Sequence, residues 1–213
     1  FMAKTERWGK KFKMQNVKYK IIESRELDNV WEEEVVIGEH QSLRWVLLCV
    51  DKMPKQMDVK IRLAGRGSRA EVLIPFIGKK DGETVMNVTL IHDAPDTYGR
   101  VIAKAALFDE ARFTLRGMLE ITPQAKGADS YLLAKGLLMS PEARAEIYPQ
   151  LEIQTDEVKA SHGSSIGRID PRQLFYLQSR GISKEDAERI ILSGFFRDVA
   201  RELPRECAAK FFQ

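Results

Sequence analysis

Short segments in which apolar and polar residues alternate follow one another through the middle of this chain, with no helical pattern between them. Alternation with a period of two places the apolar side chains on one face of an extended segment, which is typical of half-buried β-strands. In residues 113–121, for example, Phe113, Leu115, Leu119 and Ile121 fall on one face. The candidate strands are residues 43–50, 58–63, 70–76, 86–90, 100–107, 113–121, 131–138 and 151–154. The chain is therefore predicted to be mainly β.

Glycine- and proline-containing turn signals separate these segments, at residues 65–67, 78–82, 93–96 and 126–129. A new candidate strand thus begins roughly every 10–15 residues, and this spacing favours a β-sandwich, a β-barrel or a β-helix. Periodicity alone does not choose among these three folds. No strict sequence repeat marks the coils that a β-helix would require.

Helical signals begin only after Ile169. Asp170 is suited to cap a helix, Pro171 suits the first helical position, and Gly181 can supply the left-handed residue that ends a helix. These signals predict a first helix over residues 171–180.

A second helix is predicted to start at Ser183, with Asp186 three residues later as an acidic variant of the capping box, and to run to Ala200. Its apolar residues recur at helical spacing on one side. They are Ala187, Ile190, Ile191, Phe195 and Val199. Such a stripe either packs on its own domain or binds a partner, and amphipathicity does not distinguish the two.

Composition excludes several classes of protein. The chain has 213 residues, 44% of them hydrophobic, which is enough for one sizeable core. Its formal net charge of +3 does not argue for nucleic acid, and its longest apolar run, residues 45–50, is far too short to span a membrane. Two cysteines without a CxxC pair indicate a reducing, cytoplasmic compartment. Cys49, in an apolar segment, is predicted to be buried and inert, whereas Cys207 is predicted to be more accessible.

The first 34 residues form a separate charged segment in this prediction. Residues 4–20 are rich in lysine, and residues 23–34 are acidic. Blocks of opposite sign are typical of a solvated terminus, although a basic docking arm is an alternative.

The C-terminal third carries motifs that are specific to one family. The run His162-Gly163, followed by residues 166–170, 174–177 and 179–182, resembles the C-terminal signature of the SufB/SufD family of iron–sulfur cluster assembly proteins. Upstream, the stretches at 137–140 and 148–153 resemble the same family. The resemblance covers residues 85–196.

This resemblance implies a right-handed parallel β-helix core with C-terminal α-helices. The implied organisation is a charged N-terminal segment at 1–34, a β-helix core at 35–169 and a helical region at 170–213 that docks an ATPase. Because family members usually carry a longer N-terminal region, the chain resembles a short, core-only member. The run from His162 favours the SufD type, whereas residues 194–199 resemble SufB, which suggests an undivided form that pairs with itself.

The family works with a separate ABC-type ATPase, SufC, and this chain has no GxxxxGK[ST] loop of its own. The resemblance therefore implies a scaffold rather than an enzyme, with a SufC-like ATPase bound at the C-terminal helices. It also implies a homodimer, or a heterodimer with a SufB/SufD paralogue, formed through the end of the β-helix. The candidate docking residues are Phe175, Ile190, Ile191, Phe195 and Val199.

His162 is the candidate ligand for iron, because it aligns with the histidine that the family motif implicates in cluster formation. The implied cofactor is an iron–sulfur cluster held transiently. The other family ligand positions carry Gly163, Ala143 and Ala160, so the chain is not expected to hold a full ligand set alone. Without the family, a lone histidine before glycine is typical of a turn or core residue, and His40 and His92 are assigned such structural roles.

Two other functions remain open at this point. An interaction scaffold without a cluster of its own fits the missing ligands. A carbohydrate-active β-helix enzyme fits the strand ladder, but it needs a pair of carboxylates, and the single acids Asp58, Glu71 and Glu120 are scattered along the sequence.

Overall fold

The computed structural model describes residues 17–23, 28–50 and 52–209. Within these residues the chain forms eleven strands and then three helices. The strands are β1 (Val17–Glu23), β2 (Val30–Ile37), β3 (Ser42–Leu48), β4 (Gln56–Leu63), β5 (Arg69–Gly78), β6 (Glu83–His92), β7 (Tyr98–Leu107), β8 (Arg112–Ile121), β9 (Asp129–Leu138), β10 (Arg144–Ile153) and β11 (Lys159–Arg168). The helices are α1 (Pro171–Ser179), α2 (Lys184–Glu202) and α3 (Arg205–Ala208).

The strands form two sheets that the chain visits in alternation. The first sheet has the order β1-β3-β5-β7-β9-β11, and the second has the order β10-β8-β6-β4-β2. Every neighbouring pair is parallel, so each coil contributes one strand to each sheet. This arrangement is a parallel β-helix of about five turns, which confirms the predicted fold class and excludes the sandwich and the barrel.

The coils stack in register although their sequences do not repeat. Trp45, Val72, Val101 and Leu132 pair in sequence across four strands of the first sheet, and all four side chains are buried. One coil takes about 30 residues, a period typical of solenoids. A column needs apolar side chains that fill the interior together, not identical ones, so the repeat is visible in the structure and not in the sequence.

Strands β5 and β7 are buried on both faces because α2 covers the outside of the first sheet. Leu73 and Ile102 face outward from the sheet and belong to an apolar cluster with Leu192 and Phe196 of α2. The inward faces form a separate and larger cluster, in which Phe76 and Phe113 stack with ring centroids 4.4 Å apart. The β-helix therefore has an interior core and a second core beneath the helix.

One corner of the β-helix is a ladder of turns in which four stacked residues adopt positive φ angles. They are His40, Gly67, Asp96 and Gly127. The backbone N–H of each donates to a carbonyl in the next turn, at 2.7 to 3.0 Å. A Cβ atom on Gly67 would lie 2.7 Å from the ring of His40, so glycine there meets both the φ angle and the close approach.

The prediction that residues 1–34 form a separate charged segment is wrong for the part that the structure describes. β1 pairs with β3, and the predicted boundary after residue 34 falls inside β2. The inward-facing Lys20 and Glu33 form an ion pair at this end of the β-helix, and the Lys20 ammonium lies 4.7 Å from the centroid of the Trp45 ring. Lys20 and Glu33 are therefore residues of strands. The rest of the proposed basic arm lies outside the described residues.

The two predicted helices are confirmed with their caps. The Asp170 carboxylate accepts the backbone N–H of Arg172 at 2.9 Å, and the Ser183 hydroxyl accepts that of Asp186 at 3.1 Å. Gly181 has a φ of +82° between the helices. α2 continues two residues beyond the predicted end, to Glu202. None of the described helices is long and apolar enough to cross a membrane.

Candidate functional site

The β-helix stops at β10 and β11 with its last coil uncovered. Among the described residues, each of these strands pairs with one neighbour, β10 with β8 and β11 with β9. Inward-facing side chains that would be buried in an earlier coil are consequently accessible. Leu151 is 37% exposed, Ile153 43% and Ile166 44%. This surface, called the open end below, is apolar and bordered by two strand edges.

His162 lies in this open end. It pairs with Leu132 in the register of the first sheet and therefore continues the inward-facing column of Trp45, Val72 and Val101. Leu132 is 1% exposed, but His162 is exposed because no further strand covers it. The imidazole thus occupies an interior position of the fold while remaining accessible.

No cysteine or carboxylate completes a metal site around His162 within the described residues. Ala160 also faces inward on β11, Gly163 lies on the opposite face beside Leu133 and Tyr131, and Ala143 is buried in the turn before β10. Across the described part of the chain, no group of three or more His, Cys, Asp or Glu side chains is placed to hold a metal ion.

The other two histidines differ from His162. His40 is exposed in the corner ladder, with Nε2 3.6 Å from Glu39. His92 is fully buried, with Nδ1 2.8 Å from the Thr97 hydroxyl and Nε2 2.9 Å from the Ser130 hydroxyl. Burial lowers the pKa of His92 to about 4. The structural role predicted for His92 fits these contacts.

The two cysteines are both buried and form no disulfide. Cys49 is 1% exposed, which confirms the predicted burial, and this burial raises the pKa of its thiol to about 12. The prediction for Cys207 is wrong, because this residue is only 7% exposed. It belongs to the apolar cluster beneath α2, since α3 turns back toward the sheet after Pro204.

The first turns of α2 and the whole of α1 form a helical hairpin, residues 171–191, with an apolar surface. α1 has no buried residue, and it packs against α2. Phe175 is 73% exposed, Tyr176 57% and Ile190 48%. Between the two helices lies a shallow depression lined by Arg172, Gln173, Tyr176, Leu177 and Ile191.

The five predicted docking residues thus differ in exposure: some are accessible to a partner and others are buried. Phe175 and Ile190 are exposed, and Ile191 is half-buried at the depression. Phe195 is half-buried against the sheet, and Val199 is 1% exposed within the cluster beneath α2. The docking role predicted for Val199 is therefore corrected: its side chain packs on the protein's own β-helix and presents no surface to a partner. Tyr176, which the sequence reasoning did not single out, belongs to the exposed group.

Sequence reasoning also missed the polar contacts that hold α2 on the sheet. The Lys104 ammonium on β7 donates to the carbonyl of Phe195 at 2.6 Å and to the carboxylate of Asp198. Arg100, on the same face of β7, donates to Glu202 at 2.6 Å. Although burial opposes it, the hydrogen bond from Lys104 lowers the pKa of Asp198. These four side chains, Arg100, Lys104, Asp198 and Glu202, are called the anchor below.

The acids considered for glycoside chemistry do not form a pair. Glu71 lies on the first sheet and is ion-paired with Arg44 and Arg100. Asp58 lies on the second sheet and accepts from Gln56 and Asn87. Glu120 pairs in register with Ile91, in a different column from Asp58. This arrangement does not support a glycosidase site.

Comparison with known proteins places these features in one family. A family model described as "SUF system FeS cluster assembly, SufBD core domain" matches residues 13–195. The iron-sulfur cluster assembly protein SufD of Bacillus subtilis is 33% identical over 175 residues, which cover 81% of this chain and 40% of that protein. A SufBD family protein of Mycobacterium leprae is 33% identical over 177 residues, covering 79% of this chain and 45% of the relative.

A third relative, a SufBD family protein of Staphylococcus saprophyticus, is 28% identical over 183 residues, covering 85% of this chain and 39% of its own length. The chain therefore spans less than half the length of each of these three relatives.

Proposed function

Because the chain belongs to the SufBD family of SUF-system iron–sulfur cluster assembly proteins, we propose that it is a scaffold on which clusters are assembled or handed over. The observation that carries the proposal is the position of His162, an accessible imidazole in an interior column at the open end. The cluster is cargo in this function. In this proposal a partner protein hydrolyses ATP. The protein acts in the cytoplasm.

The open end is the surface through which two scaffold chains join. It combines two strand edges with apolar side chains that an added molecule would bury, and unpaired strand edges readily accept a further strand. A second copy of this chain, or a paralogue, would cover Leu151, Ile153 and Ile166. The same contact would enclose His162 between the two chains.

The partner chain would supply the remaining cluster ligands. Iron in such clusters is held mainly by thiolates, with imidazole as an occasional ligand, and His162 can contribute one imidazole nitrogen. Because Ala160, Gly163 and Ala143 provide no donor side chains, a homodimer brings two imidazoles and a heterodimer brings the paralogue's donors. His162 therefore binds iron in this proposal only when the open end is covered.

The helical hairpin is the surface for a SufC-like ABC ATPase. Phe175, Tyr176 and Ile190 expose apolar area that no other described part of the chain covers, and large apolar and aromatic side chains are typical of the energetic centre of an interface. Nucleotide-driven movement of two ATPase subunits would then move two scaffold chains relative to each other at the open end. Cluster assembly would respond to ATP through this movement.

Anaerobic reconstitution with ferrous iron and sulfide tests the cluster role. The measurement is visible absorption of wild type, His162→Ala and the control His40→Ala, each with and without the ATPase. His40 is a good control because it is also exposed but lies in the corner ladder. We expect a chromophore in wild type and in His40→Ala, and its loss in His162→Ala.

Two other outcomes would change the conclusion. An equal chromophore in His162→Ala would remove His162 from the site. No chromophore in any of the three proteins, with binding of the ATPase retained, would support the second candidate function, an interaction scaffold whose cluster chemistry belongs to its partner. The missing donors at Ala160 and Gly163 are the observation that favours this second candidate.

A further inference from the structure

Lys104 is a buried cation in the apolar layer beneath α2. It is 5% exposed, and its ammonium lies 5.1 Å from the ring centroid of Phe195 in addition to its two hydrogen bonds with α2. Removing an ammonium from water is costly unless it is paired, and here it is paired with Asp198 and with a helix carbonyl. An apolar residue would pack in this layer without that cost, so the charge needs another explanation.

The anchor defines how α2 lies on the sheet. Arg100 and Lys104 are four residues apart on one face of β7, and their partners Glu202 and Asp198 are one helical turn apart on α2. The earlier strand residue pairs with the later helix residue, so the two pairs together specify both the direction of α2 and its register. Registration of neighbouring elements is the best-supported role of buried polar pairs.

Apolar packing alone specifies the register of α2 on the sheet less strictly than the two ion pairs do. Leu192, Phe196 and Val199 recur at helical spacing along the buried face of α2, so a shift of one turn would again place apolar side chains on the sheet. A shift that brought Gly194 opposite Lys104 would leave the buried ammonium without its carboxylate. The ion pairs therefore penalise a displacement that the apolar contacts tolerate.

The helical hairpin depends on this registration. Only the second half of α2, from Leu192 onward, contributes buried side chains to the cluster on the sheet, while α1 packs against the first half of the same helix. The hairpin is thus supported from one side. A force applied at Phe175 or Ile190 reaches the coils of the β-helix through the anchored half of α2.

We propose that Lys104 and Arg100 are positioning residues that hold the helical hairpin at one register on the β-helix, so that movement of a protein bound there is transmitted to the coils. The inference rests on the proposed function for the identity of the bound protein. The fixed register itself is a property of the free chain. The two can therefore be tested separately.

The test measures the position of the hairpin in the free protein. Spin labels are attached to cysteines introduced at Gln178 on α1 and at Asp81 in the turn after β5, both exposed, while the native Cys49 and Cys207 are buried. Electron paramagnetic resonance then gives the distribution of the distance between the labels. The proteins compared are wild type, Lys104→Met and the control Lys60→Met, whose ion pair with Glu34 is half-exposed on the other sheet.

We expect one narrow distribution in wild type and in Lys60→Met. Lys104→Met should show a broadened distribution or a second population displaced by about 5 Å, one helical turn. Its melting temperature should stay close to that of wild type, because methionine fills the same volume without a charge to desolvate. A role in stability alone would give the opposite pattern, a lower melting temperature with an unchanged distance, and would overturn the proposal.

Asp198→Asn provides a second variant should Lys104→Met not fold, because the Asp198 side chain is 58% exposed and its replacement leaves the core intact. It should broaden the distribution in the same way, and a wild-type distribution in both variants would refute the positioning role. Binding of the ATPase is measured separately. If wild type does not bind it while the variants still broaden the distribution, the proposed partner is wrong and the positioning role holds.

Discussion

The Nε2 atom of His92 lies 2.9 Å from the hydroxyl oxygen of Ser130, a contact that joins the two sheets of the β-helix across its interior. The other ring nitrogen, Nδ1, lies 2.8 Å from the Thr97 hydroxyl. A Cβ atom on Gly99 would lie 2.8 Å from Nε2, so the glycine leaves room for the ring. The imidazole therefore satisfies two buried hydroxyl groups while it is neutral.

Protonation of His92 should destabilise the fold in acid. Burial lowers its pKa from 6.5 to about 4, so below pH 6.5 the unfolded chain binds a proton that the folded chain does not. The free energy of unfolding should therefore fall between pH 6.5 and pH 4, with His92 contributing a loss of about 3 kcal/mol. Urea unfolding at a series of pH values measures this slope.

His92→Gln is the matched control for that slope, because its amide can donate and accept but does not titrate. The variant should be less stable than wild type at pH 7, yet it should lose less stability on acidification. Equal slopes for the two proteins would mean that other groups cause the acid sensitivity.

Phe175→Asp should weaken binding of the ATPase without affecting the fold. Phe175 is 73% exposed, so a carboxylate there costs the folded chain little, whereas in an interface it would be desolvated. We expect a loss of affinity of about tenfold or more and an unchanged melting temperature. Isothermal titration calorimetry measures the affinity. Val36→Asp, on the exposed face of β2 at 60% exposure, should bind like wild type, and equal affinities for all three proteins would place the docking site elsewhere.

Ile153→Asp should prevent pairing through the open end. Ile153 is 43% exposed in the free chain, and a partner that covers it would bury an unpaired charge. Light scattering at micromolar concentration should give a dimer mass for wild type and a monomer mass for the variant. Val30→Asp, at the opposite end of the β-helix, should remain dimeric. A monomeric wild type in the absence of any partner would contradict the homodimer.

Two glycine substitutions should change the free energy of unfolding in opposite directions. Gly194 lies within α2 with no atom near the position of a Cβ, so Gly194→Ala should raise the free energy of unfolding by roughly 0.5–1 kcal/mol. Gly67→Ala introduces a side chain at a φ of +65° and should lower it by about 1–2 kcal/mol. Thermal unfolding of both variants checks whether position 67 of the corner ladder needs glycine.

Much of the fold could be predicted from sequence because inward and outward residues alternate within each strand. Residues 113–121 were assigned almost to the bounds of β8. The sequence does not predict β11 as a strand. Its outward residues Ser161, Gly163 and Ser165 do not contrast clearly in polarity with its inward residues, so no alternation is visible. Its extended conformation depends on pairing with β9. The choice of a β-helix over a sandwich came from the family resemblance, because strand periodicity carries no information on which strands pair.

The site was less predictable, because its geometry depends on contacts between distant parts of the chain. The apolar stripe of α2 looks the same whether a residue is exposed, as Ile190 is, or buried, as Val199 is. Lys104 meets Asp198 across 94 positions of sequence, and nothing near either residue signals the pair. His162 was found through the family motif, but its place in an interior column became clear only from the register of β11 with β9.

The two ends of the described β-helix differ in chemistry, and this difference limits how copies can add to one another. A solenoid with two identical apolar ends could grow into a filament, since each added copy would expose a new surface like the one it covered. Here one end carries the inward-facing ion pair of Lys20 and Glu33, and the other carries Leu151, Ile153 and Ile166. Stacking one on the other would desolvate the charges against apolar side chains. In the proposed dimer the two apolar ends would therefore meet, and the charged ends would not offer a matching apolar surface to a third copy.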